Sequence, residues 1–500
     1  MGKLSLVNLK KAYNFLRENG LSATAYEVRT RLAQRNDDYK LRRPDKSELE
    51  KQRAASGGFS YRPIISAVIP LYNSDENMLG QLFECLKNQS YDNWEVIFAD
   101  GSDSVKLGHF LKELCEREDI EQPVRYFHIG ENRGISENTN YGLERAYGDY
   151  IALIDHDDLI EPDAFFEVVS ALNKYADGER PGIIYTDEDK TDESGENYFD
   201  PVFKPDFDMF YLLCNNYICH MSVFEAGLIK SLKLRKKFDG AQDHDLLLRA
   251  AVKTGNKHHI PKILYHWRVF GNSTSGNTRG KFYAYEAGRR AVSEAAVKHG
   301  IKAEVYHTRH VGVFGFDFAE DPLIKAGDRE DASGTKALFE RVGAIGGVVI
   351  RRNKNGKIIG GPLLYSGYAE DVTEGSADEK GARKRHGLYS LTGLPSPAGG
   401  RYNRRFVMQE ALYLDIRCIK IAPDLIPLFE ETIGYPYNEK RAELRTELAA
   451  GRSPSAPDTI FDWRVLPQDT DYEKIGLRLC SAIAEKGYKL VFVPDLAEIP

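Results

Sequence analysis

Long apolar runs are missing from this sequence. None of its 500 residues falls in a stretch resembling the roughly 20-residue apolar segment of a membrane helix. The opening "MGKLSLVNLKKAYNFLRENG" lacks the apolar centre and cleavage site of a secretory leader. Cysteine is scarce. Cys85, Cys115, Cys214, Cys219, Cys418 and Cys480 are scattered, with no CxxC pair. That scatter argues against a zinc site or a disulfide framework and favours reduced thiols. A strong positive balance is absent too, and the net charge of -7 argues against general nucleic-acid binding. A cytoplasmic globular protein is the expectation. Its 42% hydrophobic and 29% charged residues suffice for a large core, and the length suggests about two to four domains.

Residues 1–62 read as a helical segment followed by the linker "RRPDKSELEKQRAASGG", which ends in a glycine pair. From residue 63 the texture becomes strand–helix alternation. "ISAVIPLYN", "WEVIFADGSD", "VRYFHIG" and "YIALI" are strand-like, with helix-like stretches between them. Such alternation predicts an α/β domain with a mostly parallel sheet over 63–310, carrying its ligand loops at one edge. Residues 311–335 read as a polar linker. Residues 336–500 close with "LRLCSAIAEKGYKLVFVPDLAEIP", which echoes "LLLRAAVKTGNKHHIPKILYHWR" at 246–268. The echo predicts a partial relative of the first domain that has lost its catalytic residues.

Four segments carry chemistry, and each has a plainer reading beside it. Pro70, Tyr72 and Asn73 end the first strand and shape one wall of a nucleotide pocket, or merely terminate the strand. Asp100 and Ser102 follow the second strand, where a carboxylate accepts from a pyrimidine ring N–H or closes an Asp-Gly turn. "GDYIALIDHDDLI" ends a buried strand in Asp155, Asp157 and Asp158 around His156. Carboxylates so close repel unless a cation compensates, and a divalent metal on a phosphate-bearing substrate is one such compensation. Helix capping is the alternative, with Pro162 near a helix start. In "FDGAQDHDLLLR", Asp243 and Asp245 precede an apolar helix. A carboxylate there can take a proton from an attacking hydroxyl, or simply enrich a helix N-terminus in acid.

"SAVIPLYN", "NRGISENTN", "IALIDHDD", "FDGAQDHDLLLR" and "ILYHWR" follow the order and rough spacing of bacterial family 2 glycosyltransferases. The segment "IIYTDEDKTDESGENYFDPVFKPDFDMFYLLCNNYICH" resembles the branch that builds O-antigens and related rhamnose-rich surface polysaccharides. The resemblance covers about 63–300, and 336–500 looks like the latter half of a second such domain. It implies a GT-A fold, a UDP- or dTDP-sugar donor and inversion at the anomeric carbon. Asp157 would hold Mg²⁺ or Mn²⁺ on the diphosphate, with Asp155 on the ribose or metal and His266 as a further metal ligand. Arg268 would neutralise the leaving diphosphate, and Asn132 would join the nucleotide contacts. Asp243 would be the general base. Glu188, Asp189, Trp267 and Asp245 would border the acceptor, a lipid-linked or polysaccharide chain that would bring the protein to the inner face of the membrane.

Ala99 departs from the family pattern, standing where an acid is usual and weakening one nucleotide contact. Two rival classes remain. A sugar nucleotidyltransferase needs a pyrophosphate loop rich in glycine and lysine after its first strand, and "PLYNSDEN" has neither residue. A non-catalytic glycan-binding scaffold would have no need of Asp155, Asp157 and Asp243.

Overall fold

The computed structural model describes residues 41–118, 120–270, 282–308 and 312–318, together with parts of 342–498. The sequence expectations for residues 1–40 lie outside the described residues. Among the described residues no helix is long and apolar enough to cross a membrane.

Four strands make the parallel half of the main sheet: β1 (Ile65–Leu71), β2 (Trp94–Asp100), β3 (Val124–His128) and β4 (Tyr150–Leu153), in the order β3-β2-β1-β4. β2 is buried at every position, as its apolar run predicts for a strand covered on both faces. Side chains alternate between two cores. Val68 and Ile97 face one cluster, while Ala67, Ile69, Val96 and Phe98 face the other. The helix Glu76–Lys87 starts at Asp75, whose carboxylate accepts from the Asn77 and Met78 amides. Gly142 lets the helix Ile135–Leu143 lie close on the sheet, since a Cβ there would meet Val68 Cγ1 at 2.7 Å.

The other half is mixed. β5 (Leu159–Ile160), β6 (Ile183–Thr191), β7 (Tyr198–Val202), β8 (Ser222–Glu225) and β9 (Lys257–Arg268) complete the sheet, in the order β4-β8-β6-β9-β5 with β7 on β6. β8 runs antiparallel to β4, pairing Leu153 with Ser222. The chain just before β8 therefore arrives where β4 ends. That reversal assembles the site described below.

The expected linker before residue 63, and residues 312–318 of the one expected at 311–335, are ordered structure instead. Lys46–Ser56 is a helix closed by a capping box, in which the Asp45 carboxylate accepts from the Glu48 amide and Glu48 accepts from the Asp45 amide. The Asp-Lys-Ser-Glu spacing carries that signal. It was overlooked because the stretch is so charged. Within 311–335, Phe314–Phe318 forms β11, antiparallel to β10 (Ala303–His307). Phe314, Phe316 and Phe318 alternate into the first core, so the domain continues past residue 310.

In the C-terminal part, Val342–Val349 pairs parallel with Lys489–Glu498 and antiparallel with Ile419–Ile421. Ile419–Ile421 leads through a short turn into the helix Ile426–Ile433, and the helix Tyr472–Glu485 leads into Lys489–Glu498. β6 stands in the same relation to β9 and β8. β8 likewise precedes the helix Ala226–Leu232, and the helix Gln242–Lys253 precedes β9. Val342, Cys418, Ala422 and Val491 are buried within the first domain's core cluster.

A buried carboxylate ties together the starts of the parallel strands. Glu95 accepts from Ser66 Oγ at 2.7 Å, Tyr147 N at 2.8 Å and Arg125 Nη1 at 2.9 Å. Replacing Glu95 by Ala leaves Ser66 Oγ and the Tyr147 amide without their acceptor and Arg125 with only the Arg145 carbonyl, and should cost on the order of 1–3 kcal/mol in urea unfolding. A loss below about 0.5 kcal/mol would show that the network holds nothing.

Candidate functional site

A pocket of ≈ 590 Å³, counting space open to solvent, lies at the carboxyl ends of β1 and β4. Pro70, Asp155, Cys219, His220, Gln242 and Asp243 are among its lining residues. Asp155 follows β4, Cys219 and His220 precede β8, and Asp243 sits in the first turn of the helix Gln242–Lys253.

His220 is the hub. Its Nε2 lies 3.6 Å from Asp155 Oδ2 and its Nδ1 lies 3.7 Å from Glu188 Oε2. The ring stacks on Tyr265 at 4.9 Å and 8°. Burial works against the imidazolium, but Cys219, Asp155 and Glu188 outweigh it and raise its pKa well above the ordinary value. Burial likewise works against ionised Asp155, and His220 outweighs it, so that this carboxyl lies below its usual range. Asp158 behaves oppositely. Burial, with the charges of Asp155 and Asp157, pushes it up to about 8. Its carboxylate accepts from Tyr265 Oη at 2.6 Å and from the Arg268 amide at 2.7 Å.

Asp155, Asp158 and His220 each offer one donor atom, all within 4.8 Å of one another. Oxygen and imidazole donors suit a divalent cation. Two crowded carboxylates, one driven towards its neutral form, are the electrostatic condition that a cation relieves.

Lys204 supports the hub from beneath, with its side chain wholly buried. Its ammonium donates to Glu188 Oε2 at 2.9 Å, to the Ile218 carbonyl at 2.6 Å and to the His220 carbonyl. Burial would raise the Glu188 pKa, but Lys204 and His220 hold it down to about 2.

Asp243 is held on one side only. Its Oδ2 accepts from Asn216 Nδ2 at 2.8 Å and from Cys219 Sγ at 3.2 Å. Burial pushes the Cys219 thiol up to about 12, so it stays protonated and donates. Oδ1 has no hydrogen-bond partner among the described residues.

Several residues expected at the site have other duties. His266 is not available to a metal, because Nδ1 bonds Asp189 at 2.5 Å and Nε2 bonds Glu161 at 2.8 Å, in full burial. Asp189 is thereby buried against His266. Arg268 is occupied within the protein. Its guanidinium donates to the Asp157 and Glu193 carbonyls and to Gln81 Oε1. Asp245 is buried against Arg235 and Arg249. Asp100 is buried and closes its turn, accepting from the Ser102 amide at 2.8 Å and Tyr126 Oη at 2.7 Å.

Other expected residues stay near the opening. Pro70 lines the pocket. Tyr72 is 45% exposed, and the neighbouring Asn73 amide donates to Ser102 Oγ. Trp267 is exposed, 6.1 Å from the His220 ring. Asn132 is exposed and accepts from the Gly134 amide. The Asp157 carboxylate takes no hydrogen bond among the described residues and lies outside the Asp155–Asp158–His220 grouping. Sequence reasoning missed His220, Asn216, Cys219 and Lys204 as site residues. For the first three the available signal was the polar "NNYICH" immediately before an apolar strand.

Comparison with known proteins gives this geometry its context. Residues 66–232 match the model for Glycosyl transferase family 2. A Sinorhizobium fredii protein, y4gI, is 42% identical over 46% of this chain and 25% of its own length. The O-antigen biosynthesis protein RfbC of Myxococcus xanthus is 34% identical over 49% of this chain and 19% of its own. The chain thus spans a quarter or less of the length of these two relatives. S. aureus TarS, solved with UDP-GlcNAc, is 15% identical over 47% of this chain and 66% of its own, with a TM-score of 0.38. Residues 66–232, with the strands and acidic turn they contain, are thus the part of the chain that is similar to glycosyl transferase family 2.

Proposed function

We propose that the chain transfers a sugar from a UDP- or dTDP-sugar to a growing surface polysaccharide, by a single inverting displacement. The observation that carries this reading is the convergence of Asp155, His220 and Asp243 on one pocket, with one Asp243 oxygen unbonded among the described residues. An acceptor hydroxyl placed beside Asp243 gives up its proton to Oδ1 as its oxygen bonds the anomeric carbon. On the opposite face the sugar–phosphate bond breaks, and the nucleoside diphosphate leaves. Without an ion, the His220 imidazolium places positive charge at this mouth; a bound cation would displace its proton and take that place. Asp155, Asp158 and His220 would hold a divalent cation, Mg²⁺ or Mn²⁺, and that ion would supply Lewis-acid stabilisation of the diphosphate. The relative named for O-antigen biosynthesis supports the acceptor class. A lipid-linked acceptor would draw an otherwise cytoplasmic protein to the membrane face.

The domain scheme follows the same reading. A catalytic domain runs from residue 63 past Phe318, preceded by the helix Lys46–Ser56. Residues 336–500 are an incomplete second copy of the half that contains β6, β8 and β9.

The cation can be tested without catalysis. Calorimetry of UDP and dTDP with and without Mn²⁺ should show a metal-dependent gain in affinity that Asp155→Ala and His220→Ala each remove. Equal affinity in wild type and both variants would rule out these ligands.

The two neighbouring acids should separate cleanly. Asp243→Asn keeps the size and removes the basicity, so turnover should fall by about 10²–10⁴ while nucleotide affinity stays within a few-fold. Asp245→Ala should instead lower stability on the order of 3 kcal/mol, because Arg235 and Arg249 lose their shared partner. Transfer rates, nucleotide titrations and urea midpoints for both proteins check the division. Wild-type turnover in Asp243→Asn would move the base elsewhere.

A further inference from the structure

We infer that Asn216 and Cys219 form a clamp that aims the catalytic carboxylate, making both of them positioning residues for proton transfer. The inference rests on the reading of Asp243 as the base. Both donors reach the same oxygen, Oδ2, from one short segment of chain. A carboxylate held by a single donor can pivot about that bond. Two donors on one oxygen from different directions fix its plane, and leave Oδ1 as the atom able to receive a proton. Hydrogen bonds to an ionised acceptor are also the stronger kind.

The segment carrying the donors is itself fixed at several points. Asn215 donates to the Gly312 carbonyl at 3.1 Å and bridges to Val313. Tyr217 is wholly buried, stacks on Tyr211 at 4.5 Å, and its Oη accepts from the Asp208 amide at 2.8 Å. Lys204 holds the carbonyl of Ile218, and Ser222 Oγ donates to that of Cys219 at 2.6 Å. Cys219 has a φ of 30°, within the left-handed region that side-chain-bearing residues seldom adopt. Such a conformation persists only where its surroundings impose it. Here it carries Sγ to Asp243.

The clamp works through orientation, so its loss should act on kcat rather than on donor binding. With the full chain and whichever of UDP-glucose, UDP-galactose, UDP-GlcNAc or dTDP-rhamnose it turns over, Asn216→Leu and Cys219→Ala should each lower kcat by about tenfold or more. Donor KM and UDP affinity should stay within a few-fold. Cys219→Ser, which keeps a donor, should recover most of what Cys219→Ala loses. In an Asp243→Asn background, Asn216→Leu should cause little further loss, since its effect passes through the carboxylate. A merely structural role would lower turnover in both backgrounds.

A crystal structure of Asn216→Leu, or of Cys219→Ala should the first fail to fold, reads the clamp independently of activity. The Asp243 carboxylate should turn or spread over several orientations. An unmoved carboxylate, or unchanged kcat in both single variants, overturns the clamp. Full turnover in Asp243→Asn overturns the base assignment itself, so the two failures are distinguishable.

Discussion

Lys204 carries a charge without contact with water, and its ammonium is satisfied by one carboxylate and two backbone carbonyls. A buried ammonium lacking such partners would lose its proton or disrupt its surroundings. The requirement acts in both directions. Glu188 must stay ionised beside it, and residues 218–220 must bend so that two carbonyls point inward. That bend presents His220 to Asp155 on one side and Cys219 to Asp243 on the other. The acidic tip of β4 and the start of the helix Gln242–Lys253 are thus set against each other by an ion pair that touches neither. Buried pairs are little screened by salt. This arrangement should therefore hold at ionic strengths that dissolve surface pairs such as Lys106–Glu76.

Much of the framework was legible because it depends on local pattern. Apolar runs ending in Asp or Asn announced β1, β2 and β4, and the acids of 155–158 marked the edge where a pocket opens. What escaped was partner choice. His266 and Arg268 stand in a motif at a strand end, and position alone suggests ligands. Which face of β9 they occupy, and that Glu161, Asp189 and Gln81 wait there, is settled by pairings across 77 to 187 positions. Asp245 was read by its helix turn, whereas Arg235 and Arg249 decide its role. The reverse error hid His220, Asn216 and Cys219. They lie in a connection with no periodicity, and become a site only because β8 runs against β4.

The C-terminal part shows how much of that arrangement is topology and how much is chemistry. Val342–Val349, Ile419–Ile421 and Lys489–Glu498 keep the wiring of β6, β8 and β9. Among the described residues, Ile419–Ile421 ends its sheet, at the position where β8 meets β4 in the first domain. Leu425, Phe429, Phe461, Leu479 and Ile483 fill a hydrophobic core of their own there.

The reversal at β8 also bears on how such a pocket can vary. β4 delivers residues after it ends, and β8 delivers residues before it begins. The stretch from Thr191 to Ser222 is therefore anchored in the sheet at both ends, and again within by Tyr198–Val202 on β6. Lengthening a flexible connection costs little, about 0.6 kcal/mol for each doubling. Length can thus change at the turn between β6 and β7, where Asp192 and Asn197 close the chain on itself, while Lys204 and residues 215–222 keep the pocket wall in shape.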